Sequence, residues 1–156
     1  MTTVEPITKA QCHRLLAEEP VGHLAVIADD EPYVTPISFV HMNDALYLRT
    51  GPGRRLNALL AGGRCCIEVS RYANDQGDWE SVMIWGHPEL IEDSGEEADA
   101  IGLLLVKYRK VFGSALAFSR PTPLAPKEVV VKIPVDEMSG RSSGAGFAPR
   151  TRPGRL

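Results

Sequence analysis

The chain has 156 residues, 44% of them hydrophobic and 24% charged, with a net charge of −3. That is the size and balance of one globular domain, and it argues against a dedicated nucleic-acid binder. Four arginines and no acid follow Glu137 (Arg141, Arg150, Arg152 and Arg155), so the chain ahead of them carries the difference, −7.

The longest apolar runs, such as LLLV at 103–106, fall far short of the ~20 residues of a membrane span. The first residues, MTTVEPITK, hold no apolar signal core, so a cytoplasmic protein is expected. Three cysteines without a CxxC pair speak against a disulfide framework or a structural zinc site.

Thr8 is placed to cap a helix that runs to about Glu18. Residues 21–28 (VGHLAVIA) read as a strand and Asp29-Asp30-Glu31 as a turn. Residues 32–41 (PYVTPISFVH) form a second strand in which Pro36 marks an edge or a bulge. Residues 45–50 (ALYLRT) are a third strand, ended by Gly51-Pro52-Gly53. A short helix over 54–61 buries Leu56, Leu59 and Leu60, and Gly62-Gly63 stops it.

A fourth strand spans 64–70, residues 71–78 form a polar loop, and 79–91 is a strand or strand pair bent at Gly86 and Pro88. Ser94 and Glu97 have the spacing of a capping box for a helix with Ile101, Leu104, Leu105 and Tyr108 on its apolar side. Residues 112–126 read as a loop and 127–135 as the last strand. The predicted domain is 1–139, and 140–156 is a Gly/Ser/Pro/Arg tail too poor in apolar residues to order itself. Many strands joined by tight turns, with few helices, predict a mainly β fold: an antiparallel sheet closing on itself with flanking α-helices.

His13, His23, His41 and His87 do not stand at i, i+3 or i, i+4 to another possible ligand in a way that makes a metal box, so no metal site is expected. No nucleophile elbow, P-loop or GxGxxG is present. The segment 46–60, LYLRTGPGRRLNALL, is distinctive: a strand ends in Arg49-Thr50, passes two glycines and enters a helix through Arg54-Arg55. Glycines let backbone N–H groups converge, and arginine forks bind phosphate. Cations there oppose the helix dipole unless an anion sits nearby. The alternative is a pair of solvated surface arginines. A proline-interrupted strand, YVTPISF at 33–39, leaves backbone groups for a flat polar ring. WESVMIWG at 79–86 brings two tryptophans that could wall such a ring or pack as plain core.

At these segments, from about Cys12 to Gly140, the chain resembles the FMN-binding split-barrel family of pyridoxamine 5′-phosphate oxidase-like proteins. Its nearest likeness is to the branch grouped with the nitroimidazole-resistance reductases. VGHLAV, PYVTPISF, LRTGPGRRL, IEVS, WESVMIWG and VDEMSGR come in family order. The resemblance implies a six-stranded antiparallel split β-barrel and a homodimer with FMN at the subunit interface. It implies electron transfer to a small molecule, with NADH or NADPH as candidate donor. Thr35, Pro36 and Ile37 would face the flavin ring. Arg49, Thr50, Gly53 and Arg55 would hold the phosphate and ribityl chain, with Ser81 and Trp85 as further contacts. The same barrel binding a deazaflavin or haem, or serving as a ligand-binding module without turnover, are the alternatives.

Overall fold

In the computed structural model, residues 3–72, 77–112 and 128–144 are described. Their order is β1 (Val4–Pro6), α1 (Lys9–Glu18), β2 (Gly22–Ala28), β3 (Glu31–Ile37), β4 (Phe39–Met42), β5 (Ala45–Thr50), α2 (Arg54–Leu60), β6 (Cys65–Tyr72), β7 (Trp79–Gly86), β8 (Glu89–Leu90), α3 (Ser94–Phe112), β9 (Val129–Pro134) and β10 (Glu137–Ser143). All strand pairs are antiparallel, in a six-stranded sheet ordered β1-β10-β7-β6-β2-β3 and a four-stranded sheet ordered β4-β5-β9-β8. This is the expected mainly β, split-barrel architecture, with ten strands shared between two sheets.

Among the described residues the chain crosses between the sheets four times, once through α2 from β5 to β6 and otherwise at three corners. The predicted strand 32–41 breaks at Ser38, so β3 stays in the large sheet while β4 joins the small one. Gly86-His87-Pro88 turns β7 into β8, where a side chain on Gly86 would lie 2.2 Å from the Pro134 carbonyl oxygen. Val135-Asp136 turns β9 into β10. The hairpin turns use left-handed backbone at Asp29, Asp30, Asn43 and Asp44, residue types that tolerate positive φ best after glycine.

The main core lies between the sheets, where Leu24, Ile67 and Ile84 meet Leu46, Leu48 and Ile133, and α1 adds Cys12, Leu15 and Leu16. Alternation along β5 sends Ala45 and Tyr47 the other way, to a second cluster with Ala100, Leu104 and Tyr108 of α3. The Tyr108 hydroxyl accepts from the Phe39 amide at 2.7 Å and donates to the Pro20 carbonyl at 2.8 Å, clamping α3 to the corner.

Several expectations are corrected. Leu60 is exposed, because α2 is too short to bury a third leucine. Asp93, not Ser94, caps α3: its carboxylate accepts from the Glu96 amide at 2.8 Å. Arg71 and Tyr72 belong to β6 rather than a loop. The boundary at 139 is too early, since β10 runs through Ser143 and pairs with both β7 and β1. Gly140 lies under α1, where a Cβ would be 2.5 Å from the Cys12 sulfur. The tail expected to be disordered falls on residues 145–156, outside the described residues.

Lys107 of α3 points into the joint between helices and corner, donating to the Leu16 and Phe39 carbonyls at 3.0 Å each. Burial lowers its pKa from the ordinary 10.5 to about 8. Between these values the unfolded chain holds a proton that the folded chain has released, so this group makes stability rise with pH. Relative to Lys107→Met, the wild type is therefore expected to gain stability from pH 8 to pH 10. Denaturant melts of both proteins across that range check it, and parallel curves would refute it.

Candidate functional site

Arg55, at the start of α2, reaches back over the end of β5 and the open edge of β3. Its Nε donates to Thr50 Oγ1 at 3.1 Å, and its Nη1 to Thr35 Oγ1 at 3.4 Å and to the Pro36 carbonyl at 3.2 Å. β3 is the last strand of its sheet, so the outward backbone groups around Pro36 are not used by a neighbouring strand. Pro36 is tolerated there for the same reason. A cavity of about 240 Å³ opens beside this cluster, lined by Tyr33, Thr35, Thr50, Gly53, Arg54 and Arg55 among others. Gly53 takes φ +146°, a conformation that disfavours side chains, and nothing lies within 4 Å of where its Cβ would be.

The charges are unequal. Arg49, Arg54, Arg64 and Arg71 each face a carboxylate. Arg55 is half-buried and faces three neutral oxygens, with no ion pair among the described residues. A partly desolvated guanidinium without a counter-ion is a ready acceptor for an anion. Arg54 differs because the β2–β3 turn neutralises it: Asp29 lies at 3.2 Å, Glu31 at 3.4 Å, and its guanidinium stacks 4.7 Å over Tyr33.

Of the expected site residues, Thr35, Thr50, Gly53, Arg55 and the Pro36 carbonyl come together here. Arg49 does not. It follows the alternation of β5 to the opposite face from Thr50 and pairs with Glu128, its Nε donating at 2.7 Å. That pair borders a different cavity of about 290 Å³, with Ser38, Leu104 and Tyr108. The Ile37 side chain is also elsewhere, packed in the main core.

Ser81 and Trp85 lie on the outward face of the large sheet. β7 alternates, so Ser81, Met83 and Trp85 face out while Glu80, Val82 and Ile84 face in. Glu80 therefore sits under the sheet without moving Ser81 off its face. The Ser81 hydroxyl donates to Glu68 at 3.2 Å, and His23 meets the same carboxylate at 3.3 Å. The register lines up Pro36, His23, Glu68 and Met83 in one cross-strand row, and Val34, Ala25, Cys66 and Trp85 in the next. This outward face exposes Ile27 (62%), Val34 (60%) and Tyr72 (70%). Sequence reasoning missed its apolar character; the signal was hydrophobics on both phases of β2 and β3.

A second grouping was also missed. His13, His41 and Asp44 come from three elements and place their ligand atoms within 4.8 Å of one another. Only His41 and Asp44, three positions apart, are linked by local spacing; the fold brings His13 to them.

The family profile described as pyridoxamine 5′-phosphate oxidase matches residues 8–142. An uncharacterised protein of Rhizobium meliloti is 24% identical over 148 residues, covering 92% of this chain and 97% of the relative. An FAD-binding protein from Mesorhizobium loti superimposes with a TM-score of 0.73 at 22% identity, over 92% of this chain and 99% of that one. A protein of Bacteroides thetaiotaomicron proposed to confer 5-nitroimidazole antibiotic resistance gives 0.72 at 26% identity, over 92% and 89%. No described helix is long and apolar enough to cross a membrane.

Proposed function

The chain belongs to the pyridoxamine 5′-phosphate oxidase family, and on that footing we propose that it is a homodimeric, FMN-binding oxidoreductase acting on a small molecule. The observation that carries this reading is Arg55, a half-buried cation without a carboxylate partner among the described residues, beside two threonine hydroxyls and an open glycine turn. This donor set fits a phosphate monoester. Arg55, Thr35 and Thr50 would hold the FMN phosphate, and the free edge of β3 would offer backbone groups to the ring.

Bound FMN would supply the redox chemistry. The protein binds, orients and excludes water. Pro36, Ser81 and Trp85 share the outward sheet face with Ile27, Val34 and Met83. An apolar face of that kind fits a second copy, which would close the ring site from the other side. NADH or NADPH would be the candidate donor and a small molecule the acceptor.

Heating purified protein should release a yellow compound with the mass and spectrum of FMN. Release of a deazaflavin or haem instead, or no turnover with any donor, would favour the alternatives. Val34→Glu, at the exposed edge of the outward face, is expected to shift the protein from dimer to monomer by light scattering. A monomeric wild type that retains FMN would contradict the shared site.

A further inference from the structure

We propose that His13, His41 and Asp44 form a binding site for a divalent transition-metal ion of the zinc class. His13 lies on α1, His41 on β4 and Asp44 in the β4–β5 turn, and their ligand atoms lie within 4.8 Å of one another. Two imidazoles and one carboxylate are the donor set of a three-ligand zinc site, with metal–ligand distances of about 2.0–2.2 Å. In tetrahedral geometry those lengths put ligand atoms about 3.4 Å apart, so the most widely spaced must draw in by up to about 1.4 Å. Asp44 is exposed at a turn, so its side chain is free to make that adjustment.

Two further observations point to a ligand. His13 Nε2 is buried with no hydrogen-bond partner among the described residues. Buried polar atoms are rarely left unmatched, and a metal bond would satisfy this ring. The two imidazoles also face each other with ring centres 4.8 Å apart.

The site opens onto a cavity of about 600 Å³, lined by all three residues together with Lys9, Cys12 and Asp136. A metal held by three protein ligands here keeps its fourth position open to water or a small anion, the arrangement of reactive rather than purely structural sites. Lys9 and Lys107 also act on His41 electrostatically, and Asp44 opposes them. The lysines weaken cation binding, so the site should be of moderate affinity and exchangeable. It shares no residue with the Arg55 cluster, so its test stands whether or not FMN binds.

The test is titration of untagged, chelator-stripped full-length protein with Co²⁺, read by visible absorption, followed by competition with Zn²⁺. One Co²⁺ per chain is expected, displaced by Zn²⁺. His41→Ala, and separately Asp44→Asn, should each weaken binding by more than about tenfold. His87→Ala, which removes an exposed histidine paired with Asp136 at 3.0 Å, should leave it unchanged. Zn²⁺ should raise the melting temperature of the wild type but not of His41→Ala, whose fold is checked by circular dichroism. The proposal is overturned if folded wild type takes up no stoichiometric Co²⁺. It is equally overturned if His41→Ala and Asp44→Asn bind as the wild type does, or if His87→Ala abolishes binding.

Discussion

Arg55→Ala is expected to weaken FMN binding by roughly 10- to 100-fold, the loss of one or two charge-assisted hydrogen bonds. The variant removes the half-buried cation and also frees Thr35, Thr50 and the Pro36 carbonyl from the bonds that fix them. Flavin fluorescence quenching on titration into stripped protein measures the change. Arg64→Ala is the control, because among the described residues Arg64 pairs with Glu137, at 2.8 Å and in solvent, away from the Arg55 cluster. Equal retention of FMN by both variants would remove Arg55 from the phosphate site. Arg55→Lys should fall between them, keeping the charge while losing the planar fork that spans two strands.

Glu80→Ala is expected to cost about 3 kcal/mol of stability, the low end for breaking a buried ion pair, because Glu18 and Glu19 still face Arg71. The Glu80 side chain is fully buried and that of Arg71 is 4% exposed, with their charged atoms 2.9 Å apart. Glu18 closes on Arg71 from α1, and Arg14 approaches Glu80 at 3.5 Å. For a chain of this length the loss corresponds to a fall in Tm of roughly 10 °C. The double variant Arg71→Met/Glu80→Leu should recover part of it, because the buried guanidinium goes with its partner, while Glu18, Glu19 and Arg14 lose their contacts to the pair. A thermal melt of Glu80→Ala that matches the wild type would show that the network holds nothing together.

Elements set by local pattern were legible in the sequence. The Thr8 cap of α1 is present, completed by Gln11, whose side chain accepts from the Thr8 amide at 2.7 Å. β5 has the expected bounds, because alternation and the Gly51-Pro52-Gly53 break both act within a few residues. Less was legible where a strand changes sheets: the sequence pointed to an edge or bulge at Pro36, but the break falls at Ser38, and only the barrel corner explains why. β1 was invisible, since three exposed residues carry no period and exist as a strand only by pairing with β10.

The candidate site divides in the same way. The residue types needed to hold a phosphate, an arginine fork with hydroxyls and a glycine turn, could be read from LRTGPGRRL, and with them the family. Which arginine serves could not. Arg49, Arg54 and Arg55 lie within seven positions of one another, yet each meets different partners. β5 alternation sends Arg49 to Glu128, the β2–β3 turn brings Asp29 and Glu31 to Arg54, and α2 swings Arg55 over the free edge of β3. The sequence by itself determined the chemistry available and the local elements, because both depend on neighbours along the chain. Tertiary structure alone decided which cation stays unneutralised, which glutamate is buried beneath the sheet, and that two distant histidines meet an aspartate. Charge neutralisation, burial and ligand geometry are set by distances in space, and these arise only when the two sheets close on one another.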